Sequence, residues 1–309
     1  MTKPLVAVVV GPTASGKSAL AVEIAKKYGG EVVSADSMQI YKGMDIATAK
    51  PAREEMQGIP HHLISIVEPT DSFSVNEFKI KATQAIEDIL SRGKFPVVAG
   101  GTGFYVDTLV NNTEFLDYEK NDIRARLEEK AGQEGIAVLY GELKAIDPIA
   151  AERLHENDSK RIIRALEVYY STGKTITEQE RLSHLEESPY RFCIIGINAR
   201  DRQVLYDRIN LRVDLMLEAG LISEAREFFS MPVSLTAKQA IGYKELKPYL
   251  DGHCSLDEAV ERLKTETRRY AKRQLTWLRK RENINWIYID SKSRDEIINE
   301  AFEIIKSFE

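Results

Sequence analysis

Eight residues near the amino terminus, Gly11, Pro12, Thr13, Ala14, Ser15, Gly16, Lys17 and Ser18, follow the spacing G-x-x-x-x-G-K-[ST]. Glycines at the two ends let successive backbone N–H groups turn inward around phosphate oxygens. A helix starting near Lys17 adds its positive end to the same site. Lys17 brings a mobile ammonium to the outer phosphate, and the Ser18 hydroxyl suits a Mg²⁺ ion that bridges phosphates. This loop predicts the binding of a diphosphate. It does not by itself predict a nucleotide, because ATP or GTP hydrolysis needs an acid after a later apolar strand to organise the metal. The strand Phe95–Ala99 ends instead in Gly100-Gly101-Thr102-Gly103, and Ile64–Val67 followed by Glu68 is a weak substitute.

Two further side chains belong with the loop. Asp36 follows an apolar run at 31–35, and Thr102 follows the run at 95–99. If both runs are parallel strands, both side chains arrive at the carboxyl edge of the sheet, beside the phosphate loop. A carboxylate there could take a proton from a nucleophile attacking a phosphate-bearing ligand. Position alone serves equally well for an aspartate that caps a turn with Ser37 as its neighbour. The pair His61 and His62 has no third ligand at metal-binding spacing, and turn and packing roles are expected for it. Cys193 and Cys254 match no metal spacing either, and a reducing, cytoplasmic compartment is expected.

The elements that must position these residues alternate strand and helix. Leu5–Val10 reads as a buried parallel strand, Ala19–Lys27 as a helix, and Glu31–Ala35 as a second strand. Leu63–Val67 is a third candidate strand. Ser74 with Glu77 forms a capping box opening a helix to about Ser91, and Phe95–Ala99 follows as a strand. From 115 to 190 charge and helix formers dominate, and no strand pattern is evident. Strand character returns at Phe192–Asn198. Helices are expected at 202–219, 222–229, 236–250, from Ser255 to about Arg281, and at 294–308, with a late strand at Trp286–Asp290. The expected fold is an α/β, doubly wound parallel sheet of the P-loop kind with an inserted all-helical domain. The P-loop core would span 1–114 plus 191–309, and the insertion 115–190.

The 309-residue chain is ordinary in composition, with 43% hydrophobic and 29% charged residues and a net charge of −5. The early apolar run is too short to cross a bilayer or to serve as a signal core. Charge is unevenly placed, however. Residues 262–281 hold nine basic side chains and one acid, a local +8 that leaves −13 for the rest. Arg269, Lys272, Arg273, Thr276, Arg279 and Lys280 recur at helical spacing and make one face suited to backbone phosphates, or to solvent alone.

Taken together, five segments resemble the tRNA dimethylallyltransferase family: Gly11–Ser18, Ser34–Pro51, Gly100–Tyr105, Lys160–Val168 and Ala271–Arg279. The resemblance runs in order through nearly the whole chain. It implies transfer of a dimethylallyl group from its diphosphate to N6 of the adenosine just 3′ of a tRNA anticodon, position 37. The phosphate loop would then hold the diphosphate of a prenyl donor, with Mg²⁺ on Ser18, and the question of ATP binding stays open. Asp36 matches the family's general base, Thr102 a residue near the reacting centre, and Arg212 an arginine that stabilises the diphosphate. The family's tRNA contacts map to Asp36, Ser37, Met38 and Gln39; to Thr102 and Arg124; to Lys160, Arg161, Ile162, Ile163 and Arg164; to Gln239, Ala240, Ile241, Gly242, Tyr243 and Lys244; and to Lys272, Arg273, Gln274, Leu275, Thr276, Trp277, Leu278 and Arg279. The target base would have to be extruded from its stack to reach Asp36. Ser18 stands where threonine is common in the family, and either hydroxyl can ligate Mg²⁺. A cytoplasmic monomer of the bacterial type is expected, with tRNA and dimethylallyl diphosphate as partners and no membrane.

Three other readings remain at the level of residues. A P-loop small-molecule kinase would use Asp36 as base for a substrate hydroxyl. An adenylate isopentenyltransferase acting on free AMP or ATP would leave the insertion and the basic helix without a task. A non-catalytic RNA-binding protein would leave the phosphate loop unexplained.

Overall fold

The computed structural model describes residues 3–115, 121–183 and 186–309. It divides into two compact units, Met1–Val110 with Pro189–Glu309, and Asn111–Ser188. These junctions lie a few residues from those expected from composition, and residues 116–120 and 184–185 of the expected insertion fall outside the described residues.

The first unit is built on six parallel strands: β1 (Leu5–Val10), β2 (Glu31–Ser34), β3 (His61–His62), β4 (Pro96–Gly100), β5 (Arg191–Asn198) and β6 (Asn285–Tyr288). Their order across the sheet is β3-β2-β4-β1-β5-β6. β1, β4 and most of β5 read as unbroken apolar runs because both faces are covered. In β1, Val6, Val8 and Val10 enter one core while Ala7 and Val9 enter the other. Helix α1 (Lys17–Tyr28) fills the second core with Leu20, Ala21 and Ile24. After the short α2 (Arg53–Met56), α3 (Val75–Ser91) covers the first face through Phe78, Ala82, Ile86 and Ile89, and α4 (Gly103–Val110) joins it. The expected capping box opens α3: Ser74 accepts from the Glu77 amide, and the Glu77 carboxylate accepts from the Ser74 amide.

The second unit holds α5 (Ile123–Glu134), α6 (Ile136–Ile146), α7 (Pro148–Arg153), α8 (Ser159–Thr172) and α9 (Ile176–Leu182). It has its own core, centred on Leu139, Leu143, Ile162 and Leu166. Among its described residues there is no strand. The first unit resumes with α10 (Arg202–Glu218), α11 (Leu221–Ser230), α12 (Tyr243–Leu250), α13 (Leu256–Leu278) and α14 (Arg294–Lys306).

Two expectations from sequence are corrected. The third strand is only His61–His62, not Leu63–Val67, because Leu63 (φ 61°) and Ser65 (φ 53°) sit in the left-handed region, which interrupts extended pairing. Val67 keeps one isolated parallel bridge to Tyr41. The expected helix 236–250 is a short 3₁₀ turn at Ala237–Gln239 and then α12. Gly242 (φ 117°, ψ −54°) breaks it, in a conformation closed to other residues.

The chain leaves β1 toward β2 on one side of the sheet and leaves β4 toward β5 on the other. The crevice outside the carboxyl ends of β1 and β4 is therefore the switch point at which such sheets bind ligands. Gly11 follows β1 there, and Gly101 follows β4.

Candidate active site

A cavity of about 450 Å³ opens at this switch point. Thr13, Ala14, Gly16, Lys17 and Ser18 of the phosphate loop form one part of its wall, with Asp36, Arg212 and the segments 47–49 and 239–242 around them. The loop is held tightly. Ala14 takes φ 64°, a left-handed conformation that costs a non-glycine residue about 1–2 kcal/mol. Pro12 and Ser15 close a turn beneath it through a backbone bond of 3.3 Å. Strain of this kind persists where the surroundings over-determine the backbone, as they do when N–H groups must converge on a ligand.

Lys17 opens α1 and turns its exposed surface into the cavity. Burial of the ammonium pushes its pKa down to about 8; Asp36 pulls it back up and Arg212 pushes it further down. Arg212, on α10, donates to the Thr13 hydroxyl at 3.3 Å. Burial lowers its pKa as well, while Glu55 and Asp36 oppose the shift. Two enclosed cations facing one cavity, with few fixed anions beside them, are arranged for a multiply charged anion. Ser18 lines the same wall.

Asp36 takes the turn-capping role that its position allowed. Its Oδ1 accepts from the amides of Met38 (2.9 Å) and Gln39 (3.4 Å), closing an Asx turn just past β2. Its Oδ2 makes no hydrogen bond among the described residues, and the side chain lines the cavity. The turn thus orients a carboxylate with one oxygen left for a ligand. Thr102, past β4, ties the two strand ends together: its hydroxyl accepts from the Ser37 amide at 3.0 Å and donates to the Ser37 hydroxyl at 3.3 Å.

Behind the cavity wall lies a clamp that sequence reasoning missed. The Glu224 carboxylate, on α11, accepts from the amides of Asp45 (2.9 Å), Ile46 (2.7 Å) and Ala47 (2.9 Å) and from the Tyr243 hydroxyl (2.8 Å). Gln39 reaches the carbonyls of Thr48 and Ala49 from the other side. Segment 45–49, which has no regular structure, is thereby fixed as a wall. Tyr243 is fully buried and stacked on Phe228 at 4.1 Å, so it supports the site from behind and does not face a ligand. Tyr270 was also missed. It lines the cavity from α13, where burial, reinforced by Asp36, keeps its hydroxyl protonated.

The 23-residue α13 sorts the basic segment by face. Arg269, Lys272, Arg273, Thr276, Trp277 and Lys280 line one shallow depression. The indole of Trp277 is fixed by donation to Asp107 at 2.5 Å. Three of the nine cations serve the fold instead: Lys264 pairs with Asp214 (2.7 Å), Arg268 donates to Asn210 (2.6 Å), and Arg281 pairs with Asp107. Gln274, Leu275 and Leu278, expected at an RNA contact, are buried, as are Ala240, Ile162 and Ile163. Their side chains face inward because the contact segments are helical or tightly turned, and only part of each can face solvent. In the second unit Arg124, Lys160 and Arg161 are exposed, and Arg124 and Arg164 both pair with Glu167.

The remaining candidates lie elsewhere. His62 bonds Glu31 at 2.7 Å, and His61 bonds the carbonyl of Ile59 at 2.8 Å. Glu68 forms an exposed pair with Lys42. Among the described residues no group of three or more His, Cys, Asp or Glu could hold a metal ion, and no helix is long and apolar enough to cross a membrane.

A cavity walled by the Gly11–Ser18 loop, with a free carboxylate oxygen and a cationic helix beside it, at the switch point of a parallel α/β sheet, is the arrangement of a group-transfer enzyme. The chain belongs to the IPP transferase family, whose sequence profile matches residues 39–281. It is 53% identical over 296 residues to the tRNA dimethylallyltransferase of Acetivibrio thermocellus, covering 95% of this chain and 94% of that one. It is 49% identical over 297 residues to the tRNA dimethylallyltransferase of Thermoanaerobacter sp., covering 94% of each. The full-length tRNA isopentenylpyrophosphate transferase of Bacillus halodurans has a similar structure, with a TM-score of 0.74, 44% identity, and coverage of 99% of this chain and 96% of that one. A eukaryotic dimethylallyltransferase captured acting on tRNA matches with a TM-score of 0.84 at 31% identity, covering 99% of this chain and 79% of that one.

Proposed function

We propose that this chain transfers a dimethylallyl group from dimethylallyl diphosphate to N6 of the adenosine at position 37 of tRNA, releasing diphosphate. The observation that carries the reading is the convergence of Lys17, Arg212 and Asp36 on one cavity at the sheet's switch point, with Thr102 tied to Ser37 beside the Asp36 turn. The family and its tRNA-prenylating members support it.

The adenine N6 lone pair is delocalised into the ring, so the amine is a poor nucleophile. Asp36 Oδ2 accepts the N6 proton as the nitrogen attacks the allylic carbon, which makes a base useful in the transition state. The N–C bond forms, the C–O bond to diphosphate breaks, and the electron pair leaves on the diphosphate. Lys17, Arg212 and the loop amides stabilise the charge that grows on that oxygen, more strongly in the transition state than in the ground state. Thr102, bonded to Ser37, keeps the Asp36 turn in register with the end of β4. The Ser18 hydroxyl would hold Mg²⁺, which would supply further charge neutralisation. The exposed cations of the Arg269–Lys280 depression would grip the backbone of the anticodon stem-loop. The protein would act as a cytoplasmic monomer.

The deciding experiment is incubation of the protein with unmodified tRNA, labelled dimethylallyl diphosphate and Mg²⁺, followed by nucleoside analysis. N6-dimethylallyladenosine at position 37 supports the reading. Turnover of ATP with a metabolite, and no uptake of label into RNA, would replace it with the kinase.

A further inference from the structure

The buried face of the basic helix carries a polar side chain among apolar ones. Gln274 lies between Arg273 and Thr276, both exposed, yet it is only 5% exposed itself. Successive helical residues are about 100° apart, so the turn that presents cations outward presents Gln274 to the sheet. There its two amide atoms do different things. Nε2 donates to the carbonyl of Gly101 at 2.9 Å, and Oε1 accepts from the amide of Thr13 at 2.9 Å. The reverse orientation of the amide would set donor against donor and acceptor against acceptor. The fit is close: a Cβ at position 101 would lie 2.2 Å from Nε2. One N–H of the phosphate loop is thus turned onto Gln274, which leaves the shape of the loop dependent on a helix 261 residues further along the chain. The Thr13 hydroxyl is held at the same time by Arg212.

We propose that Gln274 is a positioning residue for the diphosphate donor: from within the RNA-facing helix it fixes the phosphate loop through Thr13 and the β4 turn through Gly101. This rests on the reading of Gly11–Ser18 as a diphosphate site. The consequence runs against its place in the sequence. Replacing Gln274 weakens the donor more than the RNA, because the side chain lies on the buried face of the helix, apart from the exposed cations that would hold the RNA backbone.

The test uses the full chain and the variants Gln274→Met and Gln274→Glu. Met keeps the length and loses both hydrogen bonds; Glu keeps an acceptor for Thr13, loses the donor to Gly101, and adds a negative charge beside the site. Affinity for inorganic pyrophosphate with Mg²⁺ is measured by calorimetry, affinity for an anticodon stem-loop RNA by fluorescence anisotropy, and kcat and both KM values by prenyl transfer. Pyrophosphate binding is expected to fall about tenfold in the Met variant, in line with the loss of buried hydrogen bonds, and further in the Glu variant. The donor KM rises accordingly, and RNA affinity changes by less than about twofold, the scatter of a surface neutral to RNA. A purely structural role would instead lower the active fraction and kcat with both KM values unmoved. Unchanged pyrophosphate affinity in both variants, or a loss of RNA affinity larger than the loss of pyrophosphate affinity, overturns the proposal. Failure of the unmutated protein to bind pyrophosphate removes the diphosphate site itself, and the inference with it.

Discussion

The enclosed Lys17 ammonium makes donor binding depend on pH in a way that can be worked out beforehand. Without a ligand its pKa stands at about 8, against an ordinary 10.5. Burial is the main cause, and Arg212 adds to it against the pull of Asp36. A diphosphate seated in the loop supplies the opposite charge that the site lacks and raises the pKa again. The bound state thus has the higher pKa. Affinity is complete below pH 8, falls as pH rises above 8, and levels off only when the bound form itself loses its proton. If binding restores the ordinary value, the shift of about 2.5 units is worth roughly 3.4 kcal/mol in all. Between pH 7 and pH 9 the loss is about tenfold. The assay is calorimetric titration with pyrophosphate from pH 6.5 to 9.5 on the unmutated protein and on Lys17→Arg. Arginine stays charged throughout, and ionisation of pyrophosphate contributes equally to both proteins. Their ratio of affinities isolates Lys17, and it should change about tenfold between pH 7 and pH 9. A ratio that stays flat across that range would refute the argument from burial.

Three further outcomes are expected. Asp36→Ala should bind tRNA as before and lose transfer by about 10²–10⁴-fold, the usual worth of a positioned base; full single-turnover activity would sink the general-base assignment. Lys272 lines the depression but not the cavity, so Lys272→Glu should weaken binding of tRNA and flatten its dependence on salt by about one to two units of log–log slope, while pyrophosphate binding survives. An unaltered salt slope would remove this part of α13 from the RNA interface. Glu224→Ala removes the acceptor shared by three amides and Tyr243, and should cost about 2–3 kcal/mol in urea unfolding. A midpoint that does not move would mean that segment 45–49 is held by other bonds.

The phosphate loop was legible because its chemistry is local. Glycines, a lysine and a hydroxyl at fixed spacing after an apolar run specify the turn and the helix it opens within eight residues. The alternation of strands and helices was equally legible, since burial on both faces leaves unbroken apolar runs in β1, β4 and β5. The capping box of Ser74 and Glu77 announced the start of α3 to within a residue. The third strand was misplaced because an apolar run such as Leu63–Val67 looks extended until left-handed backbone at Leu63 and Ser65 interrupts it. No sequence signal marked Gly242 as the end of one turn and the start of another, since a glycine inside a helical pattern is often tolerated.

What only the tertiary structure decided is which way each side chain faces and what it meets across long separations. By sequence, Lys272 to Arg279 is one basic segment. In the fold it is a helix with a cationic outer face and an inner face that reaches Thr13 and Gly101 through Gln274. Asp36 could have been a turn cap or a base, and the Asx turn makes it the first with one oxygen while leaving the other for the second. Glu224 is unremarked in a helical run, yet it fixes a wall of the cavity through backbone amides nearly 180 residues away in the chain. Backbone amides carry no sequence signature, so contacts made to them are visible only after the chain has closed on itself.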